Sequence, residues 1–220
     1  MGKKLNILYE DNHIIAVEKP FNVLSQSDDT KDVDMLTIIK NYLKEKYNKP
    51  GNVYLGLVHR LDRPTGGVMV FAKTSKAASR LSDEIRKQNM TKKYLAIVHG
   101  KLEQEEGILE DYILKLEDNS SIITTKEKGK YAKLSYKALD YKDNLSLVDI
   151  TLDTGRHHQI RVQFKNINHP LYGDQRYGKQ DKKQLALYAY YLSFIHPTTR
   201  EKMEFINYPK KEGIWGQFKY

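Results

Sequence analysis

The chain has 220 residues, of which 40% are hydrophobic and 30% charged, and its 37 Lys+Arg against 28 Asp+Glu give a formal net charge of +9. That size suits one large domain or two small ones with a real core, and the basic excess favours a polyanionic partner. Cys is zero, which excludes disulfides, thiolate catalysis and cysteine-ligated zinc; no apolar run approaches the ~18 residues of a membrane span, and the first residues lack the apolar segment of a signal peptide. A cytoplasmic location and no membrane partner are the default expectations.

In chain order, residues 5–9 and 13–18 read as two strands joined by a turn at Glu10-Asp11-Asn12, since Asp and Asn tolerate left-handed backbone. A polar stretch over 25–34 precedes a helix whose stripe is Leu36, Ile39 and Leu43, with Lys40, Lys44 and Lys46 in solvent. Residues 53–58 read as a strand feeding the most informative stretch, His59-Arg60-Leu61-Asp62-Arg63-Pro64-Thr65-Gly66-Gly67. Pro64 and the glycine pair demand a tight loop, and the following Val68 to Phe71 is apolar on both faces, as a central strand is. Asp62 sits between two guanidiniums, which favour its ionised form. That makes it a candidate nucleophile or base and a poor general acid; a structural Arg–Asp pair stiffening the turn is the competing reading.

Beyond it, Thr74-Ser75 caps a second helix with Ala78, Leu81 and Ile85 inward and Arg80, Arg86 and Lys87 on a solvated face. Residues 91–98 form a strand in which Tyr94 shares a face with Ala96 and Val98. The charged, turn-rich segment 103–129 holds one strand at 108–114, and 131–139 with 145–152 form a hairpin around Lys142-Asp143-Asn144. In Thr154-Gly155-Arg156-His157-His158-Gln159-Ile160-Arg161, Asp153 or Thr154 offers a helix N-cap, and His157 and Arg161 share a face at i, i+4. Such a helix start can hold phosphates. The His spacing lacks the pattern of a metal site, so no metal is expected. Residues 168–174 turn, and 185–195 and 202–206 are late strands; Tyr188, Tyr190 and Tyr191 read as sheet packing rather than a base-stacking platform. Strands outnumber helices without regular alternation, so the fold class is α+β with a mostly antiparallel sheet.

Taken together, Glu18-Lys19-Pro20, His59-Arg60-Leu61-Asp62 with Thr65 and Gly67, Lys93-Tyr94-Leu95-Ala96 with Gly100, Gly155-Arg156 with His158-Gln159-Ile160-Arg161, and His169-Pro170 with Gly173-Asp174 resemble the RluA-type pseudouridine synthases over nearly the whole chain. The resemblance implies a single catalytic domain over 1–220, a long mixed sheet flanked by helices with a central RNA-binding cleft, and isomerisation of uridine to pseudouridine in RNA without cofactor or metal. It implies Asp62 as the catalytic aspartate, Tyr94 as the active-site tyrosine and Arg161 as the basic residue paired with Asp62. Arg60 looks like the residue that helps displace the target base, and His59, Arg63, Arg156, His158 and Gln159 join it as RNA-binding candidates. Ribosomal RNA is the first expectation and transfer RNA the second, with a monomeric chain. No S4-type RNA-binding domain is expected before Leu5. Three positions depart from the family: Gly66 where Ser is commoner, His157 where Thr is usual, and Asn22 where Gly is frequent.

Overall fold

The computed structural model describes residues 5–30 and 32–220; Met1 to Lys4, read above for a leader, lie outside the described residues, as does Lys31 of the polar stretch. The elements are β1 (Asn6–Glu10), β2 (Ile14–Lys19), α1 (Met35–Lys46), β3 (Gly56–Leu57), β4 (Gly66–Ala72), α2 (Ser75–Arg86) and β5 (Thr91–His99). They continue with β6 (Glu106–Lys115), β7 (Ser121–Thr124), β8 (Lys130–Lys142), β9 (Leu145–Leu152), α3 (Gln159–Asn166), β10 (Leu187–Ile195) and β11 (Lys202–Ile206), and a 3-10 turn at Gly213–Gln217. The class is α+β. Among the described residues no helix is long and apolar enough to cross a membrane.

Two compact units make up the chain: residues up to Met90 with Ala189–Tyr208, and Thr91–Tyr188 with Pro209–Tyr220. In the first, β1, β2 and β4 pair antiparallel in that order, β3 pairs with β4, and β10 pairs with β11. Every residue of β4 is buried, as its two-faced apolar pattern demands. Its Val68, Val70 and Ala72 face α2, where Ala77 and Leu81 join Ile14, Ala16, Leu192, Phe194 and Phe205 in one core. Truncating a fully buried leucine such as Leu81 in a core of this kind costs about 2–5 kcal/mol. Thr74 caps α2 by accepting the Ala77 N–H, as its sequence position suggested.

The second unit is an antiparallel sheet in the order β5–β9–β8–β6–β7. The β8–β9 hairpin turns on Asp143 and Asn144, both at positive φ (50° and 59°), the primed geometry that short hairpins prefer. Under the sheet lies α3, whose Val162 packs with Ile113, Ala132 and Tyr177.

Several expectations are corrected. The strand expected at 53–58 shrinks to β3, because past Leu57 the chain satisfies β4 with a side chain: the Val70 N–H is accepted by His59 Nε2 at 3.1 Å. The buried stripe of α1 is Met35, Ile39 and Leu43, not one beginning at Leu36, and Asp34 caps the helix. Segment 103–129 holds two strands. Arg80 is half-buried, donating to the Pro197 carbonyl, rather than solvated. Finally, α3 starts after His158, not after Asp153 or Thr154. Thr154 Oγ1 is engaged elsewhere, accepting from Lys133 N and donating to Gln159 Oε1. His157 therefore precedes the helix and shares no helical face with Arg161.

Candidate active site

Asp62, half-buried, lies in a loop whose backbone is fastened on every side within the first unit. Just before it, the buried Ser25 hydroxyl grips Leu61 twice, donating to its carbonyl at 2.7 Å and accepting its N–H at 3.1 Å. Just after it, the Arg63 carbonyl accepts from Lys19 Nζ at 3.1 Å. Lys19 is completely buried, and its ammonium also donates to the carbonyls of Val23 and Pro20. An ammonium is tolerated in such a place because backbone acceptors replace its water. Across the loop, Thr65 N–H donates to the Asp62 carbonyl at 3.0 Å. Its exit is set by Gly67 at φ 129°, where any Cβ would stand 2.2 Å from the Ala189 carbonyl oxygen. Only glycine fits there.

Arg63 is exposed and pairs with Asp32 at 2.7 Å; Arg60 is exposed. His59, half-buried, uses Nε2 as the acceptor for β4.

The second unit gathers Arg161, His158, Asp174 and Tyr177. Arg161 is buried and holds Asp174 with two parallel hydrogen bonds, Nε to Oδ2 at 2.8 Å and Nη2 to Oδ1 at 2.7 Å. Burial alone would raise the Asp174 pKa, but the Arg161 guanidinium and the N–H groups of Tyr177 and Arg176 outweigh it and hold the carboxyl below its ordinary value. The guanidinium carbon of Arg161 lies 5.0 Å from the centre of the Tyr177 ring, a cation–π contact. The Tyr177 hydroxyl accepts the Ser121 N–H at 2.7 Å and shares a second hydrogen bond with His158 Nδ1 at 2.8 Å. Burial, and then the positive charges of Arg161, His157 and Arg176, push the His158 pKa down to about 3, so the ring is neutral at pH 7. The backbone at His158 is left-handed, φ 54°, an uncommon conformation for a non-glycine residue. The His157 ring lies against that of His158, 3.8 Å between centres and tilted by 31°, and Ser121 Oγ donates to the His157 carbonyl at 2.9 Å.

Gln159 is buried and organises the turn before α3: Oε1 accepts from Thr154 Oγ1 and the Arg156 N–H, and Nε2 donates to the Lys133 carbonyl. Arg156 Nε donates to the Tyr131 carbonyl at 2.7 Å. Tyr94 sits in β5 opposite Ile150 and is buried beside Ala96 and Val98, on the face its alternation assigned. So the first unit brings Asp62 together with His59, Arg60 and Arg63 on one loop, and the second brings His158 to Arg161 and Arg156 to Gln159. Sequence reasoning gave no role to Ser25, Asp174, Tyr177 or Ser121. Of these, only Asp174 carried a signal, as part of the Gly173-Asp174 motif.

Residues 13–166 match the family model described as RNA pseudouridylate synthase. The chain is 33% identical over 213 residues to ribosomal large subunit pseudouridine synthase C of Buchnera aphidicola, covering 91% of this chain and 66% of that protein. It is 36% identical over 204 residues to the uncharacterized RNA pseudouridine synthase YjbO of Bacillus subtilis, covering 91% and 71%. The chain thus spans about two thirds of the length of these curated relatives. Among solved structures, human RNA pseudouridylate synthase domain containing 4 superposes with a TM-score of 0.78 over 93% of this chain and 89% of that one, at 21% identity, which speaks for the fold.

Proposed function

The chain belongs to the RNA pseudouridylate synthase family, whose members are isomerases, and from that premise we propose that it converts uridine to pseudouridine in RNA with Asp62 as the catalytic carboxylate. The observation that carries this reading is the fastening of the Asp62 loop through the backbone of residues 61, 62 and 63. Clamps of that kind fix where a carboxylate stands without consuming it, which is what preorganised catalysis needs.

The reaction breaks the bond from C1′ to N1 of uracil, turns the base, and joins C1′ to C5; C5 loses its proton and N1 gains one. An ionised carboxylate can attack C1′, remove a proton from C2′ to give a glycal, or add to the base ring. Tyr94 abuts the base and serves in the final proton removal from C5. Arg161, whose Nε and Nη2 hold Asp174, keeps Asp62 charged and oriented. Arg60 helps displace the uridine from its stack, a step costing about a few kcal/mol. Arg63, Arg156 and His158 contact the RNA, His158 as a neutral ring, while His59 and Gln159 serve RNA binding by shaping the loops that carry the others. The net charge of +9 attracts the phosphate backbone.

Ribosomal RNA is the first substrate class, which the name of the Buchnera relative supports, and transfer RNA the second. The chain acts as a monomer, in the cytoplasm with its RNA, and without metal or cofactor. The test is tritium release from RNA labelled at uridine C5, using ribosomal and transfer RNA from cells that lack the gene. No release from either pool would overturn the reading.

A further inference from the structure

Tyr208 stands two residues beyond β11 and is 48% exposed. Its ring lies on that of Tyr190, with centres 5.2 Å apart and planes 14° from parallel. Tyr190 is buried in β10, and its carbonyl accepts the Asn207 N–H at 2.9 Å. The upper ring is therefore flat, supported from beneath by a buried ring, and anchored by the backbone one residue away. Sheet packing accounts for Tyr190; Tyr208 adds a second ring laid parallel on it with about half its surface exposed.

Position gives the stack its meaning. Tyr190 follows Ala189, and the Ala189 backbone is what Gly67 packs against at the exit of the Asp62 loop. One residue along β10 and one ladder step across to the chain after β11 put Tyr208 within roughly 10–15 Å of that exit. That is the reach of a nucleotide neighbouring the one acted upon. A uridine taken out of its stack leaves a neighbouring base with one face uncovered. A flat tyrosine can cover such a face for any base, because every base presents a π surface.

We propose that Tyr208 is a stacking platform for an RNA base next to the target uridine. The inference rests on the proposed function, since it supposes an RNA substrate drawn to Asp62.

The probe is a fluorescein-labelled single-stranded dodecamer of mixed sequence, its binding followed by anisotropy over a range of salt. Loss of one base–aromatic stack weakens binding about 5- to 150-fold, while the slope of log affinity against log salt, which counts phosphate contacts, stays put. Tyr208→Ala is expected to show that loss with unchanged slope, and Tyr208→Phe to bind like the wild type. Tyr208→Leu covers Tyr190 without a π face, so it keeps the fold where alanine fails and should bind as weakly. In the unmutated protein, 5-iodouridine in the dodecamer should photocrosslink to Tyr208, read by peptide mass spectrometry. Binding of Tyr208→Ala or Tyr208→Leu within twofold of wild type, a flattened salt slope, or crosslinks that avoid Tyr208 would each overturn the platform. Tritium release by the wild type separates the two readings: release with an indifferent Tyr208 sinks the platform alone, whereas no release and no RNA binding sink the function with it.

Discussion

Arg161 and Asp174 face each other as planar partners, Nε on Oδ2 and Nη2 on Oδ1, both nearly excluded from solvent. Two opposed charges at that depth depend on each other: removing one leaves the other buried and unpaired, at a cost of about 3–5 kcal/mol. Asp174→Asn keeps the shape and removes the charge, so it should lower the melting temperature clearly and reduce turnover as Arg161 shifts. The folded pKa of Asp174 lies below its ordinary value, so its contribution is fully present above the unfolded carboxylate pKa of about 3.9 and is lost as pH falls through the folded one. The gap in melting temperature between wild type and Asp174→Asn should therefore hold from pH 7 to near pH 4 and close only below. A gap that closes by pH 6 would contradict the pairing as the source of stability.

Ser25 tests positioning on the other unit. Ser25→Ala removes both hydrogen bonds to Leu61, leaving that buried N–H and carbonyl without the hydroxyl, for about 1–3 kcal/mol. The effect on chemistry should exceed the effect on binding, because the lost clamp fixes the residue next to Asp62 rather than any residue that meets RNA. Single-turnover rates at saturating enzyme should fall while RNA affinity stays within twofold. Equal losses in both would mean that Ser25 merely supports the unit.

How much of this was legible beforehand varies with the physics of each segment. The two-faced apolar run from Val68 to Phe71 and the alternation around Tyr94 announce themselves, because burial acts on side-chain type. β7 does not: Ser121 to Thr124 is a short strand fixed by its pairing with Tyr112 to Lys115, and long-range pairing leaves no local pattern. The N-terminus of α3 lies later than local composition suggests because Thr154, a good cap by composition, spends its hydroxyl on Lys133 and Gln159. Asp62 was noticed for its flanking arginines, yet Arg63 turns to Asp32, and what fixes the loop comes from Lys19 and Ser25, some forty residues upstream.

His158 makes a prediction about pH. Its folded pKa is about 3 against an ordinary 6.5, so below pH 6.5 the unfolded chain binds a proton that the folded one refuses, and stability falls as pH falls. Between pH 6.5 and 5 the loss should be about 1 kcal/mol, the full linkage of about 2 being reduced by solvent around a partly exposed ring. His158→Asn, which tolerates the left-handed backbone, should remove that slope. The His158 ring resonances should also stay still from pH 8 to 5 in the wild type. Titration of the ring near pH 6.5 would refute the neutral, buried imidazole.

The decisive substitution is Asp62→Asn. It keeps size and hydrogen-bonding capacity and removes only the charge, and it separates the catalytic reading from the competing one of a turn stiffened by an ion pair. The structure sharpens what folding should do. Ser25 holds the Leu61 backbone, Lys19 the Arg63 carbonyl, and Thr65 the Asp62 carbonyl; none of these uses the Asp62 carboxylate, and Arg63 already has Asp32. On the catalytic reading, with these backbone clamps intact, the variant should melt within a few degrees of the wild type, a shift of about 1 kcal/mol or less. RNA affinity should hold or rise slightly, with one negative charge fewer against the phosphates. Turnover should drop to background, because a neutral amide neither attacks C1′ or the base ring nor takes a proton from C2′. The measurements are thermal denaturation and a single-turnover assay on one preparation. A folded Asp62→Asn protein that still makes pseudouridine near the wild-type rate would end the assignment of Asp62, and a protein that unfolds while its folded fraction stays active would return the residue to the role of a turn-stiffening pair.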